Sequence, residues 1–148
     1  MAVETGTQII PTRYGDFEVD RDKTVTLPKG LIGFGNLQKF AVLNLPHEGA
    51  EQFKLLQSID EPGIGFYVAP VSTEASGFDD FDLQDAADHY GIALADLAIL
   101  LIVTAHQTPD GVELTANLRA PVLVDTANRL AYQHVMVSDK YPMRQKLH

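Results

Sequence analysis

Four features of the 148-residue chain could carry chemistry: a glycine cluster, an acidic run, five histidines and scattered serines. In LPKGLIGFGNLQKF, Leu27 to Phe40, the glycines Gly30, Gly33 and Gly35 could cradle a phosphate. Their order, G-x-x-G-x-G, is wrong for the dinucleotide fingerprint, and no helical pattern follows. No Gly-Lys-Ser/Thr occurs anywhere, which removes the Walker loop. With Leu31, Ile32 and Phe34 between the glycines, the stretch reads as an apolar turn where glycine permits positive φ or close backbone approach.

The acidic run FDDFDLQDAAD could in principle hold calcium. A loop starting at Asp80 places Asp82 and Gln84 at the third and fifth positions. It then places Asp85 where glycine is required and Gly91 where glutamate is required. A solvated helix N-terminus is the better reading, and an acidic docking patch is the functional alternative. His47, His89, His106, His134 and His148 include no pair at the i, i+4 spacing of a zinc helix, and cysteine is absent. His106 beside a turn and His134 in a strand are expected to be structural or exposed. The serines form no G-x-S-x-G elbow, and the adjacent Asp79 and Asp80 show nothing that would tune one as an acid. The residues give no catalytic constellation and no expected metal or cofactor.

The elements that must position these residues are mostly short strands. TQIIPTR, DFEVD and KTVTLP are separated by turn-type residues at 14–16 and 20–22, and FAVLNL and FKLLQSI follow the glycines. In the latter, Phe53, Leu55, Gln57 and Ile59 share one face. Glu61-Pro62-Gly63 turns the chain into IGFYVAPV, whose Pro70 marks an edge or strand end. Leu83, Ala86, Ala87 and Tyr90 then form a helical stripe, with Asp82 as N-cap and Gly91 as the stop. Leu97 to Ala105 is too short and β-branched for a second long helix and reads as a buried strand. After the Thr108–Gly111 turn, VELTANLR puts Val112, Leu114, Ala116 and Leu118 on one face, opposite Glu113, Thr115, Asn117 and Arg119. PVLVD and RLAYQHVMV complete a mainly β, small, single-domain, barrel-like antiparallel structure with one or two short helices, spanning 1–148. Gln57, Asn117 and Gln133, amides in apolar company, are expected to lock neighbouring strands or loops together.

Composition bounds the rest. Eleven Lys+Arg against twenty Asp+Glu give a net charge of -9. Such a surface repels phosphate backbones and favours basic partners, so direct nucleic-acid binding is not expected. The N-terminus lacks the pattern of a signal peptide, and LAILLIVTA is about half the length of a membrane span. A cytoplasmic protein, monomeric when free, is expected.

Three segments carry a family resemblance. IPTRYGDFEVDRDKTVTLPKGLIGF has a Thr-x-aromatic-Gly strand start followed by Pro-x-Gly-Leu-x-Gly-Phe. LLQSIDEPGIGFYVAPV has a Leu-Gln-Ser-x-Asp-x-Pro stretch, and TANLRAPVLVDTANRLAYQHVM an Asn-Leu-x-Ala-Pro-hydrophobic strand with a later Gln. Together and in this order they resemble the flagellar assembly factor FliW family over nearly the whole chain. The resemblance implies a small β barrel-like fold and no enzymatic activity. It implies two cytoplasmic partners, newly made flagellin and the RNA-binding translational regulator CsrA, which compete for the protein and so couple flagellin level to flagellin translation.

An acidic protein would meet a basic regulator with complementary potential. It need not cover the RNA surface itself, since a bound partner can alter RNA affinity from another site. The flagellin contact is expected to use an apolar groove for an amphipathic terminal helix. The resemblance carries over no binding residues. The candidates for meeting the basic partner are the acidic loop positions Asp20, Asp22, Asp60 and Glu61, or the patch Asp79, Asp80 and Asp82. From another class, the alternative is a small β-barrel enzyme or small-molecule-binding module, which a deep polar pocket with converging titratable groups would favour.

Overall fold

Alternation of side chains across each strand sorts this sequence into three apolar layers, and the layers define the architecture. The computed structural model describes residues 6–147, so Met1–Thr5 of the N-terminal reading, and His148, lie outside it. The strands are β1 (Thr7–Thr12), β2 (Gly15–Asp20), β3 (Thr24–Thr26), β4 (Lys39–Asn44), β5 (Lys54–Ser58) and β6 (Gly65–Val71). After helix α1 (Asp80–His89) come β7 (Leu97–Thr108), β8 (Gly111–Ala116), β9 (Val122–Asp125), β10 (Leu130–Gln133) and β11 (Gln145–Lys146).

Pairing runs β7, β6, β5, β4, β3, β10, β9 and back to β7 through Leu97↔Asp125 to Leu100↔Val122, which closes the sheet on itself. The long strand β7 makes this possible. Its first half bonds β6 on one side and β9 on the other, and its second half leaves the ring to form a hairpin with β8. Closure removes the exposed edges that an open sheet of such strands would present. The antiparallel expectation has one exception. The β3–β10 seam is parallel and is made by the single register pair Leu130↔Thr26, beside a Thr26 N–H to Arg129 C=O bond of 3.0 Å.

Inside the ring lie Val25, Phe40, Leu56, Val68, Leu100, Val122, Val124 and Ala131, with Leu27, Leu31 and Leu37 from the glycine stretch. That stretch is three tight turns in succession and holds no ligand-binding helix: Gly30 N–H bonds Leu27 C=O at 2.9 Å, Phe34 N–H bonds Leu31 C=O at 2.7 Å, and Leu37 N–H bonds Phe34 C=O at 3.1 Å. Gly30 has φ 64°, and a Cβ there would sit 2.3 Å from the Phe34 carbonyl oxygen, so close backbone approach is what the residue supplies.

The outer faces carry the other two layers. The β1–β2 hairpin buries Ile10 and Val19 against Ala41, Leu43 and Leu55, and the Tyr14 and Tyr67 hydroxyls hydrogen-bond across this contact. On the other side, Leu83, Ala86, Ala87 and Ile92 cover Ile99, Leu101, Val103 and Leu123. The expected helical stripe is therefore the buried one. It ends as expected at Gly91, φ 70°, where Gly91 N–H bonds Asp88 C=O and Ile92 N–H bonds Ala87 C=O, a Schellman closure.

Three expectations are corrected. The helix begins at Asp80 with Asp79 as N-cap, and Asp82 sits within its first turn, because the Asp79 carbonyl already accepts the Leu83 N–H at 2.9 Å. The last long strand ends at Gln133, which places His134 beyond it. His134 and Met136 still donate to the Pro121 and Arg119 carbonyls, but Pro121 has no N–H to return and the ladder stops. In β8, Leu114 and Ala116 share the core face and Leu118 packs there beyond the strand end, whereas Val112, near the hairpin tip, is exposed and Thr115 on the other face is buried against His106, Nε2 to Oγ1 3.1 Å.

Candidate functional site

The expected amide locks are present, and the one at Gln57 holds a loop that carries acidic candidates. Gln57 Nε2 donates to the carbonyls of Ser58, Pro62 and Ile64 at 3.0–3.1 Å, and Ser58 Oγ accepts the Glu61 N–H at 2.9 Å. The turn bearing Asp60 and Glu61 is thus fixed from inside the protein. Gln133 accepts the Ile32 N–H at 2.8 Å and donates to Ala120 C=O, and Asn117 Oδ1 accepts the Ala120 N–H.

Asp20 and Asp22 flank Arg21 at a 3-10 turn, Arg21–Lys23, that follows β2. Both are exposed, as are Asp60 and Glu61. Arg21 lines one groove with Asp60, Lys39 and Arg129, and Asp20 lines another with Lys23 and Lys54. The structure therefore brings the 20–22 turn and Asp60 to one side of the barrel, but interleaves them with cations.

The second set is built differently. Asp79, Asp80 and Asp82 stand at the start of α1, where carboxylates complement the helix dipole. The C-terminal segment crosses over them. Tyr141, buried with its ring 4.9 Å from that of Phe78, donates its hydroxyl to Asp82 at 2.6 Å and accepts the Asp79 N–H at 3.0 Å. Lys140 pairs with Asp79, and with Asp82 at 3.4 Å. The Tyr141 hydrogen bond, helped by Lys140, holds the Asp82 carboxyl below its usual range, and burial and then Asp82 push the Tyr141 phenol up. The bond to Asp79 raises the Lys140 ammonium. Two of the three aspartates are thus engaged within the molecule, while Asp80 is exposed to solvent.

Two features escaped sequence reasoning. No lysine or arginine occurs between Lys54 and Arg119, a stretch that holds eleven of the twenty acidic residues. Counting charges by segment would have found it. Beside this, Phe81 is 79% exposed in the first turn of α1, and it lines a groove with Leu94, Glu74, Asp80 and Gln84. A phenylalanine between two aspartates on a helix was the available signal.

The histidines among the described residues make no ligand set. Among the described residues no three His, Asp or Glu side chains gather as a metal site. His134 Nδ1 is 2.9 Å from the Tyr90 hydroxyl, Tyr90 stacks on Tyr132, and burial followed by the neighbouring His89 keeps the His134 imidazole below its ordinary pKa. No helix among the described residues is long and apolar enough to cross a membrane.

Fold and surface together define a small closed β barrel, clad by one hairpin and one acidic helix, whose candidate positions are carboxylates on turns and at the start of that helix. The family model "FliW protein" matches residues 8–147, and the chain belongs to that family. It is 34% identical over 143 residues to "Flagellar assembly factor FliW" of Syntrophotalea carbinolica, covering 93% of this chain and 96% of that one. The protein of the same name from Bdellovibrio bacteriovorus is 31% identical, covering 94% and 78%. A solved structure, "Crystal structure of the flagellar assembly factor FliW", superposes with a TM-score of 0.70 at 27% identity, covering 95% of this chain and 97% of that one.

Proposed function

We propose that this chain is a cytoplasmic flagellar assembly factor that binds flagellin and the RNA-binding translational regulator CsrA. It acts as one FliW-like β domain, monomeric when free, with a binding role and no catalytic one. The family match over 8–147 carries the reading. While flagellin is abundant it occupies the protein. When flagellin falls, the protein takes up CsrA and relieves repression of flagellin synthesis.

Charge supports the second partner. A protein that binds RNA presents basic residues, and a net charge of -9 supplies the complementary potential and a fast encounter. We assign the basic partner to Asp20, Asp22, Asp60 and Glu61, or to the patch Asp79, Asp80 and Asp82. In that patch Asp80 faces solvent, whereas Asp79 and Asp82 already bond Lys140 and Tyr141.

The test is calorimetric titration with flagellin and, separately, with CsrA of the same genome, each at two salt concentrations. Binding of both, with the CsrA affinity falling as salt rises, is the expected result. Binding of flagellin alone discards the regulatory half, and binding of neither overturns the proposal.

A further inference from the structure

The groove beside helix α1 is a second kind of surface, one that no loop carboxylate explains. Phe81 is 79% exposed and Leu94 42% exposed, and both line it above the buried Leu83. The Schellman turn at Gly91 fixes the chain that leads to Leu94, and the 3-10 turn Leu94–Asp96 is tied down where Asp96 C=O accepts the Thr126 N–H and hydroxyl. The two apolar side chains are therefore presented on rigid supports, which limits the entropy lost when a partner covers them.

The rim has one sign. Glu74 and Asp80 line the groove, and Gln84 Nε2 donates to Asp88 Oδ1 at 2.8 Å on the same helix. The nearby Lys140 is bonded to Asp79 and Asp82. With no lysine or arginine from 55 to 118, this face repels nucleic acid and anionic lipid and attracts cations. The groove is lined by residues of α1, by Leu94 and by Thr73 and Glu74 after β6, none of which lies in a strand, so an occupant must satisfy its own backbone, as a helix does.

We propose that the Phe81–Leu94 groove docks a basic amphipathic helix of a partner protein. Its apolar stripe seats between Phe81 and Leu94, and its lysines or arginines meet Glu74, Asp80 and Asp88. This goes beyond the flagellin and CsrA assignment and does not depend on either protein being the one that carries the helix.

The probe is a synthetic helix of about 18 residues, or about five turns, with leucines on one face and lysines on the other. Its control carries glutamate for lysine. Amide shifts of the full ¹⁵N-labelled chain locate binding, and fluorescence anisotropy gives affinity. The expected result is shifts centred on 73–96 and no binding of the glutamate peptide. Affinity should weaken between about 50 and about 300 mM salt and fall on the order of tenfold in Phe81→Ser. Val112→Ser, at an exposed valine in a separate groove with Glu113 and Lys146, should leave it unchanged. Shifts centred elsewhere, equal affinity in Phe81→Ser, or no binding each overturn the proposal. Because the probe is neither flagellin nor CsrA, failure here and failure of the calorimetric test are separate results.

Discussion

The hydroxyl of Tyr141 donates to the carboxylate of Asp82 at 2.6 Å, joining residues 59 positions apart. The same oxygen accepts the Asp79 N–H at 3.0 Å, so one phenol ties the C-terminal segment to both the cap and the first turn of α1. The ring is buried against Phe78, and the two-residue strand β11 follows it onto β8. Packing thus holds the segment in place while the polar tip sets its register.

Removal of that tip should loosen the clasp without opening a cavity. Tyr141→Phe keeps the ring but leaves the Asp79 N–H without its partner, at a cost of about 1 kcal/mol. The urea midpoint should fall with an unchanged slope. Amide exchange should quicken at the start of α1, whereas the barrel strands keep their protection. An unaltered midpoint would mean that water replaces the phenol at no cost.

Acid should undo the same contact. The Asp82 pKa is lowered in the folded protein from 3.8, chiefly by the Tyr141 hydrogen bond. Below 3.8 the unfolded chain takes up a proton that the folded one still refuses. The stabilisation is therefore complete above that value and is lost as pH falls through the depressed folded value. Unfolding midpoints against pH should show a shallower acid limb in Asp82→Asn than in the parent.

His134 titrates in the opposite chemical sense with the same outcome for stability. Burial, and then His89, lower its pKa from 6.5, and Asp85 opposes them. Stability should be greatest above 6.5 and decline as pH falls through the folded value, because the unfolded imidazole protonates first. In an NMR titration its midpoint should lie below 6.5, rise in His89→Ala and fall further in Asp85→Asn.

Two glycines from neighbouring turns should answer alanine differently. Both have positive φ, 64° at Gly30 and 86° at Gly33. A Cβ at Gly30 meets backbone at 2.3 Å, whereas at Gly33 nothing lies within 4 Å. Gly33→Ala should cost about 1–2 kcal/mol for the left-handed conformation alone. Gly30→Ala should cost more than that, read as the difference between denaturation midpoints. Equal losses would show that the Phe34 carbonyl moves aside freely.

Gln57 offers a test of a buried amide. Gln57→Leu keeps most of the volume but leaves the Pro62 carbonyl without its donor, at about 1–3 kcal/mol if water cannot reach it, while the Ile64 carbonyl keeps the Ser58 N–H. The loss should appear in thermal unfolding together with faster exchange around the 59–64 turn.

Strand positions, the helical stripe and its glycine stop were legible in the sequence because each depends on neighbours within a turn or two. Leu83, Ala86 and Ala87 must face one way in any helix, and Gly91 can end it with no help from the rest of the chain. The family motifs were legible too, since they are local strings, and so was the overall acidity. Tertiary structure alone decided what met at long range. It assigned β7 to three partners and so closed the barrel, set β10 parallel to β3, and carried Tyr141 to Asp82. It also bonded two of the acidic candidates, Asp79 and Asp82, to the C-terminal segment, and left Phe81 uncovered while Leu83 was buried. The reason is physical: side-chain periodicity fixes which face is apolar. What covers that face depends on where distant segments pack once the sheet has closed.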